Sequence, residues 1–269
     1  MTDRVLGVLG GMGPLASAQF MMRLTLLTDA ARDQDHVPAM LWSDPRVPDR
    51  GAARAGTGPS PLPALVRGLQ GLEAAGCGAV AIPCNTAHGW IDGMRAATRL
   101  PILHIVDAAA EDLRRQGVGP GPVGIMGTAA TLAMGLYQER LERLGWTCLA
   151  PGAEDMARLV TPAIAMVKAN RVADAYAPLA EMVALLRDRG ARAVVLGCTE
   201  IPLGIQAGPW ETLGIPLVDT IDALARAAIL WWQGTTPQAS SAPGGGDAEA
   251  GSETGQQGGV KIGSSGQRT

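Results

Sequence analysis

The strongest constraint on the fold is that the chain repeats itself. Leu72-Glu-Ala-Ala-Gly76-Cys-Gly-Ala79-Val80-Ala-Ile-Pro-Cys84 lies over Leu186-Arg-Asp-Arg-Gly190-Ala-Arg-Ala193-Val194-Val-Leu-Gly-Cys198 at an offset of 114, with Leu, Gly, Ala, Val and the final Cys identical. Pro101-Ile-Leu-His-Ile-Val-Asp107-Ala108 lies over Pro216-Leu-Val-Asp-Thr-Ile-Asp222-Ala223 at 115, and Gly7-Val-Leu-Gly10 over Gly124-Ile-Met-Gly127 at 117. Three ordered matches at nearly one offset argue for two similar α/β lobes rather than a chance likeness of Ala- and Val-rich strands. The repeat puts one thiol at the C-terminal end of a strand in each lobe, where open α/β sheets bind ligands. Two lobes facing each other would aim two sulfurs at one cleft.

Short β-type runs at 4–9, 38–43, 78–83, 101–104, 122–126, 192–197 and 216–218 alternate with amphipathic segments at 14–31, 62–75, 87–98, 106–116, 130–144, 154–170, 173–189 and 220–232. That alternation predicts βαβ units and parallel sheets covered by helices. One Phe and two Tyr leave an aliphatic core, as such sheets have. The expected division is a first lobe of 1–105 plus 216–233, a second lobe of 106–215, and a disordered tail at 234–269. The tail is Gly-, Ser-, Gln- and Thr-rich and has too little apolar surface to offset its ordering entropy. A net charge of -3 and no basic run give no footprint for nucleic acid. No apolar stretch approaches the roughly 18 residues of a membrane span, and the start lacks a signal-peptide layout, so a cytosolic address is expected.

Cys84 follows an apolar strand and opens a helix whose first turn holds Asn85 and Thr86. A helix N-terminus favours a thiolate, and both polar side chains can hydrogen-bond a carboxylate or a developing enolate. By itself Cys84 reads equally as a buried structural thiol. Cys198, with Thr199 and Glu200 behind it, is its repeat-mate, and the pair changes the reading. Racemisation of an α-amino acid needs an acid and a base on opposite faces of Cα, and two thiols that swap protonation states serve both directions. Cys77, before its strand, and Cys148, in an edge segment after Trp146-Thr147, lack a polar helix start and read as packing residues. The four cysteines show no CxxC spacing, so they suggest no zinc site or redox pair. Neither a pyridoxal-type lysine site nor a metal-ligand cluster is recognisable.

Gly10-Gly11-Met12-Gly13-Pro14 ends the first strand and reads either as a nest of backbone N–H groups for a substrate carboxylate, Met12 included, or as a tight βα turn. It lacks the spacing of a dinucleotide fingerprint. In the second lobe the matching turn runs from Gly127 through Thr128 to Thr131, with hydroxyls that could reach the same ligand. Residues 43–63 are too long for a simple connector and suggest a lid, with Arg50 able to hold a carboxylate bidentately. Lys168, the only lysine before residue 261, lies on a helix with Ile164, Met166 and Val167. It is 118 residues from Arg50, so the two can approach the cleft from opposite lobes. Among the histidines, His36 falls in a polar loop, His104 ends a strand, and His88 belongs on a helix surface unless it tunes Cys84.

Gly10–Pro14, Val47-Pro-Asp-Arg50, Pro83-Cys-Asn-Thr-Ala-His88, Gly127-Thr128 with Thr131, Tyr137-Gln138, Lys168 and Gly197-Cys-Thr-Glu200 occur in an order that resembles the aspartate/glutamate racemase family, specifically its aspartate-racemase-like branch. The resemblance spans about residues 4–232. It implies a pseudo-symmetric two-lobed α/β fold, no pyridoxal phosphate, no metal, and usually a homodimer. It would make Cys84 and Cys198 the acid/base pair and place Asn85, Thr86, Thr128 and Thr199 around the α-carboxylate and amine. It would also give Arg50 and Lys168 the distal carboxylate of a small acidic amino acid. Glutamate racemases of the cell-wall branch carry an acidic residue in the first glycine turn; Gly10, Gly11 and Met12 favour aspartate, with glutamate second. Competing readings are a maleate-isomerase or arylmalonate-decarboxylase-like enzyme working through one cysteine, and a non-catalytic amino-acid-binding protein.

Overall fold

The computed structural model describes residues 4–235. The expected disordered tail, 234–269, lies outside them apart from Gly234 and Thr235. The first half carries β1 (Leu6–Gly10), α1 (Pro14–Leu27), β2 (Ala39–Ser43), α2 (Arg50–Arg54), α3 (Leu62–Ala74), β3 (Ala79–Ala81), α4 (Ile91–Arg95), β4 (Ile102–Leu103) and α5 (Ile105–Arg115). The second carries β5 (Gly121–Gly127), α6 (Ala129–Ala133), α7 (Leu136–Glu142), β6 (Trp146–Leu149), α8 (Ala153–Asp155), α9 (Thr161–Lys168), α10 (Tyr176–Asp188), β7 (Val194–Gly197), α11 (Ile201–Gln206), β8 (Leu217–Asp219) and α12 (Thr220–Gln233).

Each half forms a four-stranded sheet, ordered β2-β1-β3-β4 in the first and β6-β5-β7-β8 in the second. Every strand pair is parallel. The sequence repeat is carried down to the register, for Gly7 sits opposite Val80 and its repeat-mate Gly124 opposite Val194. Both thiol-bearing strands, β3 and β7, are therefore interior strands in equivalent places.

Strand side chains alternate between two buried faces, as expected for parallel sheets covered on both sides. Leu6 and Val8 of β1, Val123 and Ile125 of β5, and Val195 of β7 enter one central cluster with α1, α5 and α12. Leu9 and Val80 face a second cluster under α3, while Met126, Val194 and Leu196 face a third under α9 and α10. Phe20, the only Phe, is fully buried in the central cluster. Burial of such a side chain contributes about 1.5–3 kcal/mol.

The halves exchange helices. After β4 the chain crosses over, so α5 packs against β8 and α7 of the second half. After β8 it crosses back, and α12 packs against α1 of the first. Both crossing helices begin on a side chain that satisfies otherwise orphaned N–H groups. His104 accepts from Val106 N at 3.2 Å, and its repeat-mate Asp219 accepts from Ile221 N at 2.8 Å. Each is pinned by an ion pair with a helix of the other half: Arg140 of α7 to Asp107 at 2.8 Å, and Arg23 of α1 bidentately to Asp222 at 2.5 and 2.7 Å. The segment 216–233, expected to join the first lobe whole, is thus divided. The ladder open on β7 takes β8 into the second sheet, and only α12 lies against α1.

Candidate active site

Cys84 and Cys198 both sit just past a β-strand's C-terminal end, and both are buried to 5% exposure. Cys84 is followed by a 3-10 turn, Thr86–Trp90, and Cys198 by Thr199, Glu200 and α11. Burial raises both thiols above their ordinary value, because a low-dielectric site penalises the thiolate. Beyond that the two differ. At Cys84 the Arg50 guanidinium opposes the rise by charge and by hydrogen bonding. At Cys198 the Glu200 carboxylate adds to it, accepting the Sγ–H at 3.0 Å, so this thiol is held well above its usual range.

Glu200 is 4% exposed and also lies against the first half, where a Cβ built on Gly13 would be 3.1 Å from its Oε1. Its charge acts on Cys84 as well as Cys198. The repeat signals this residue by a mismatch, since the second position after Cys84 is Thr86 and the second after Cys198 is Glu200.

The threonines join the halves directly. Oγ1 of Thr86 lies 3.1 Å from that of Thr128 and 2.9 Å from that of Thr131, and the last two are 2.9 Å apart. Thr128 also caps α6, accepting from Thr131 N at 3.1 Å. Above this triangle opens a cavity of about 270 Å³, walled on one side by Asp49, Arg50 and Gly51 and on the other by Thr161, Ile164 and Lys168. Arg50 and Lys168 do share one cleft, each from its own half. Nε of Arg50 is buried without a partner, while its terminal nitrogens donate to the carbonyls of Met12 at 3.1 Å and Pro48 at 3.3 Å. An unpaired buried donor at a cavity wall is open to an anion. Asp49, missed in the sequence, is held below the usual carboxylate range by the Ala52 N–H, and the charges of Arg50 and Lys168 act in the same direction.

Residues 43–63 are not structureless, because Asp49 caps the short α2 by accepting from Ala52 N at 2.7 Å. The first glycine turn is tight. Gly11 has φ +90°, a Cβ there would fall 2.4 Å from the Asp44 backbone, and its N–H is taken by Ser17 Oγ at 2.8 Å. Met12 does not line the cavity; its side chain packs in the cluster under α3. Asn85 and Thr199 are buried at the two strand ends and do not line the cavity.

His88 is fully buried rather than on a helix surface. Its Nε2 accepts from Ile105 N at 3.3 Å, which leaves Nδ1 to donate to the Cys84 carbonyl at 2.9 Å. Burial lowers its pKa to about 4, so it is a neutral pin between the Cys84 turn and α5. Cys77 is buried packing, and Cys148 lies on the edge strand β6. Among the described residues no group of three or more His, Cys, Asp or Glu is placed to hold a metal ion, and no helix is long and apolar enough to cross a membrane.

Comparison with known proteins accords with this arrangement. The chain is similar to the solved aspartate racemase of Picrophilus torridus, at 32% identity and a TM-score of 0.75 over 86% of this chain and 95% of that one. It is 25% identical over 232 residues to the broad specificity amino-acid racemase RacX of Bacillus subtilis, covering 84% of this chain and 96% of that protein. Its fold matches Francisella tularensis glutamate racemase at a TM-score of 0.64 and 16% identity, over 88% and 84% of the two chains. The model of the Asp/Glu/hydantoin racemases matches residues 9–228. By that match across nearly all of both sheets, the chain belongs to the Asp/Glu/hydantoin racemase family.

Proposed function

We propose that the protein is a cofactor-independent racemase of acidic amino acids, aspartate first and glutamate second, with Cys84 and Cys198 as its two proton carriers. One observation carries this reading: two buried thiols end equivalent strands in two related sheets, and their neighbours carry opposite charge. Arg50 favours thiolate at Cys84, and Glu200 keeps the proton on Cys198. An enzyme in that state abstracts the Cα proton with Cys84 while Cys198 delivers its own to the opposite face. The product leaves with the protonation states exchanged, and the reverse reaction restores them. Burial serves the chemistry, because a thiolate of raised pKa is a stronger base toward the weakly acidic Cα–H.

In this reading Asn85, Thr86, Thr128 and Thr199 surround the α-carboxylate and amine, and the turn at Met12 acts through the carbonyl that holds Arg50. Arg50 and Lys168 receive the distal carboxylate. Four reduced thiols suit a cytosolic enzyme. A homodimer would find an uncovered sheet edge at β2, where Met40 and Trp42 are exposed.

The test is chiral chromatography of L- and D-aspartate, glutamate and homoserine incubated with chelator-treated protein and no pyridoxal phosphate. Both acidic substrates are expected to racemise, aspartate faster. Lys168→Ala should lower kcat/KM for aspartate by about tenfold, or roughly 1.4 kcal/mol, and for homoserine far less. No racemisation of either acid, or activity restored only by added metal or pyridoxal phosphate, contradicts the proposal.

A further inference from the structure

Between the two thiol-bearing strand ends runs a buried chain of hydrogen bonds that the two-thiol chemistry does not itself require. Tyr137 of α7 donates from its hydroxyl to Asn85 Oδ1 at 2.6 Å. Asn85 Nδ2 donates to Thr220 Oγ1 at 3.2 Å, and Thr220 Oγ1 donates to the Leu196 carbonyl at 2.8 Å. Tyr137, Asn85 and Thr220 are at most 2% exposed. Asn85 follows Cys84 directly, and Leu196 stands two residues before Cys198 on β7.

The direction of every bond is fixed from the far end. A carbonyl only accepts, so the Thr220 hydroxyl spends its one proton on Leu196 and must accept from Asn85. That turns the Nδ2 of Asn85 toward Thr220 and its Oδ1 toward Tyr137, which must donate. Burial raises the Tyr137 phenol above its ordinary value, so it remains a donor. Asn85 keeps one N–H outside the chain. The Tyr137 ring also rests on the residue before Cys198, where a Cβ in place of Gly197 would lie 3.0 Å from Cε2. One phenol therefore touches both thiol-bearing strand ends.

We infer that Tyr137 and Thr220 are positioning residues for proton transfer: they hold the Asn85 carboxamide in a single orientation and fix the Cys84 strand end against the Cys198 strand end. The inference rests on the racemase reading above. Displacement of a reacting group by about 1 Å can cost about a hundredfold in rate, so such a tie acts on kcat.

The experiment is a double-mutant cycle on aspartate racemisation. Tyr137→Phe keeps the ring and should lower kcat by about tenfold in both directions, with KM changed less than about threefold. In the Asn85→Ala background the same substitution should cost less than about twofold, because the residue it acts through is gone. Thr220→Val should resemble Tyr137→Phe, and Thr220→Ser, which keeps the hydroxyl, should recover the loss; this pair reads the same tie if Asn85→Ala does not fold. The inference is overturned if Tyr137→Phe stays within about twofold of wild type, or loses the same factor with and without Asn85, or if Thr220→Ser falls with Thr220→Val. The wild-type rate separates the two levels: an inactive wild type overturns the racemase reading and the positioning role with it, whereas an active wild type with an additive cycle overturns the positioning role alone.

Discussion

Cys84 and Cys198 occupy matching places: an interior parallel strand, a polar turn, a buried sulfur. The first half then sets a guanidinium beside its thiol, and the second sets a carboxylate. Identical residues in unlike fields cannot behave identically, since an opposite charge favours ionisation and a like charge opposes it. In the proposed mechanism this contrast is how a duplicated fold would yield an acid and a base from the same side chain. Backbone symmetry supplies the two positions, and on this proposal the broken symmetry at Arg50 and Glu200 sets which thiol holds the proton at rest.

The largest effect should come from removing either thiol. Cys84→Ser and Cys198→Ser are each expected to lower racemisation by about a thousandfold with the fold intact by circular dichroism. Each variant should still eliminate chloride from one enantiomer of a β-chloro amino acid, and the two should prefer opposite enantiomers. A shared preference would mean that the thiols do not face opposite sides of Cα.

A smaller effect sharpens the electrostatic contrast. kcat/KM should rise with pH as Cys84 ionises and fall as Cys198 loses its proton. Glu200→Gln removes a negative charge that raises both thiols but is hydrogen-bonded only to Cys198, so the alkaline limb moves to lower pH and the acid limb follows by less. Arg50→Gln removes the positive charge beside Cys84, so its pKa climbs and the acid limb moves to higher pH. Limbs that shift by equal amounts in both variants, or not at all, would show that these neighbours do not set the protonation order.

Much of this was legible in the sequence. The repeat, both thiols and the pairing of Arg50 with Lys168 in one cleft follow from residue identities and an offset. Strand runs such as Val194–Gly197 declare themselves by buried aliphatic side chains. What remained hidden was tertiary in origin. A helix expected over 130–144 is two helices, α6 and α7, broken where Gly135 takes φ +66°. The edge strand Trp146–Leu149, only four residues long, could be read only as an edge segment around Cys148 and not as a strand with bounds. β8 follows a hydrogen-bond ladder into the second sheet while α12 follows apolar packing back to the first. His88, polar on a helix pattern, is buried because its two ring nitrogens meet backbone partners from separate segments. Glu200 stood in plain view as a mismatch in the repeat, and the distance to Cys198 Sγ gives that mismatch a role.

If two thiols, one on each face, carry the proton, early turnover of L-aspartate in heavy water labels product and remaining substrate differently, and Cα label is measured separately in each. The donor thiol exchanges with solvent, so the first D-aspartate formed should carry deuterium at Cα while unconverted L-aspartate stays protiated. The reaction run from D-aspartate should give the mirror result. Deuterium entering the remaining substrate as fast as the product would mean that a single group serves both faces, and the division of labour between Cys84 and Cys198 would be wrong.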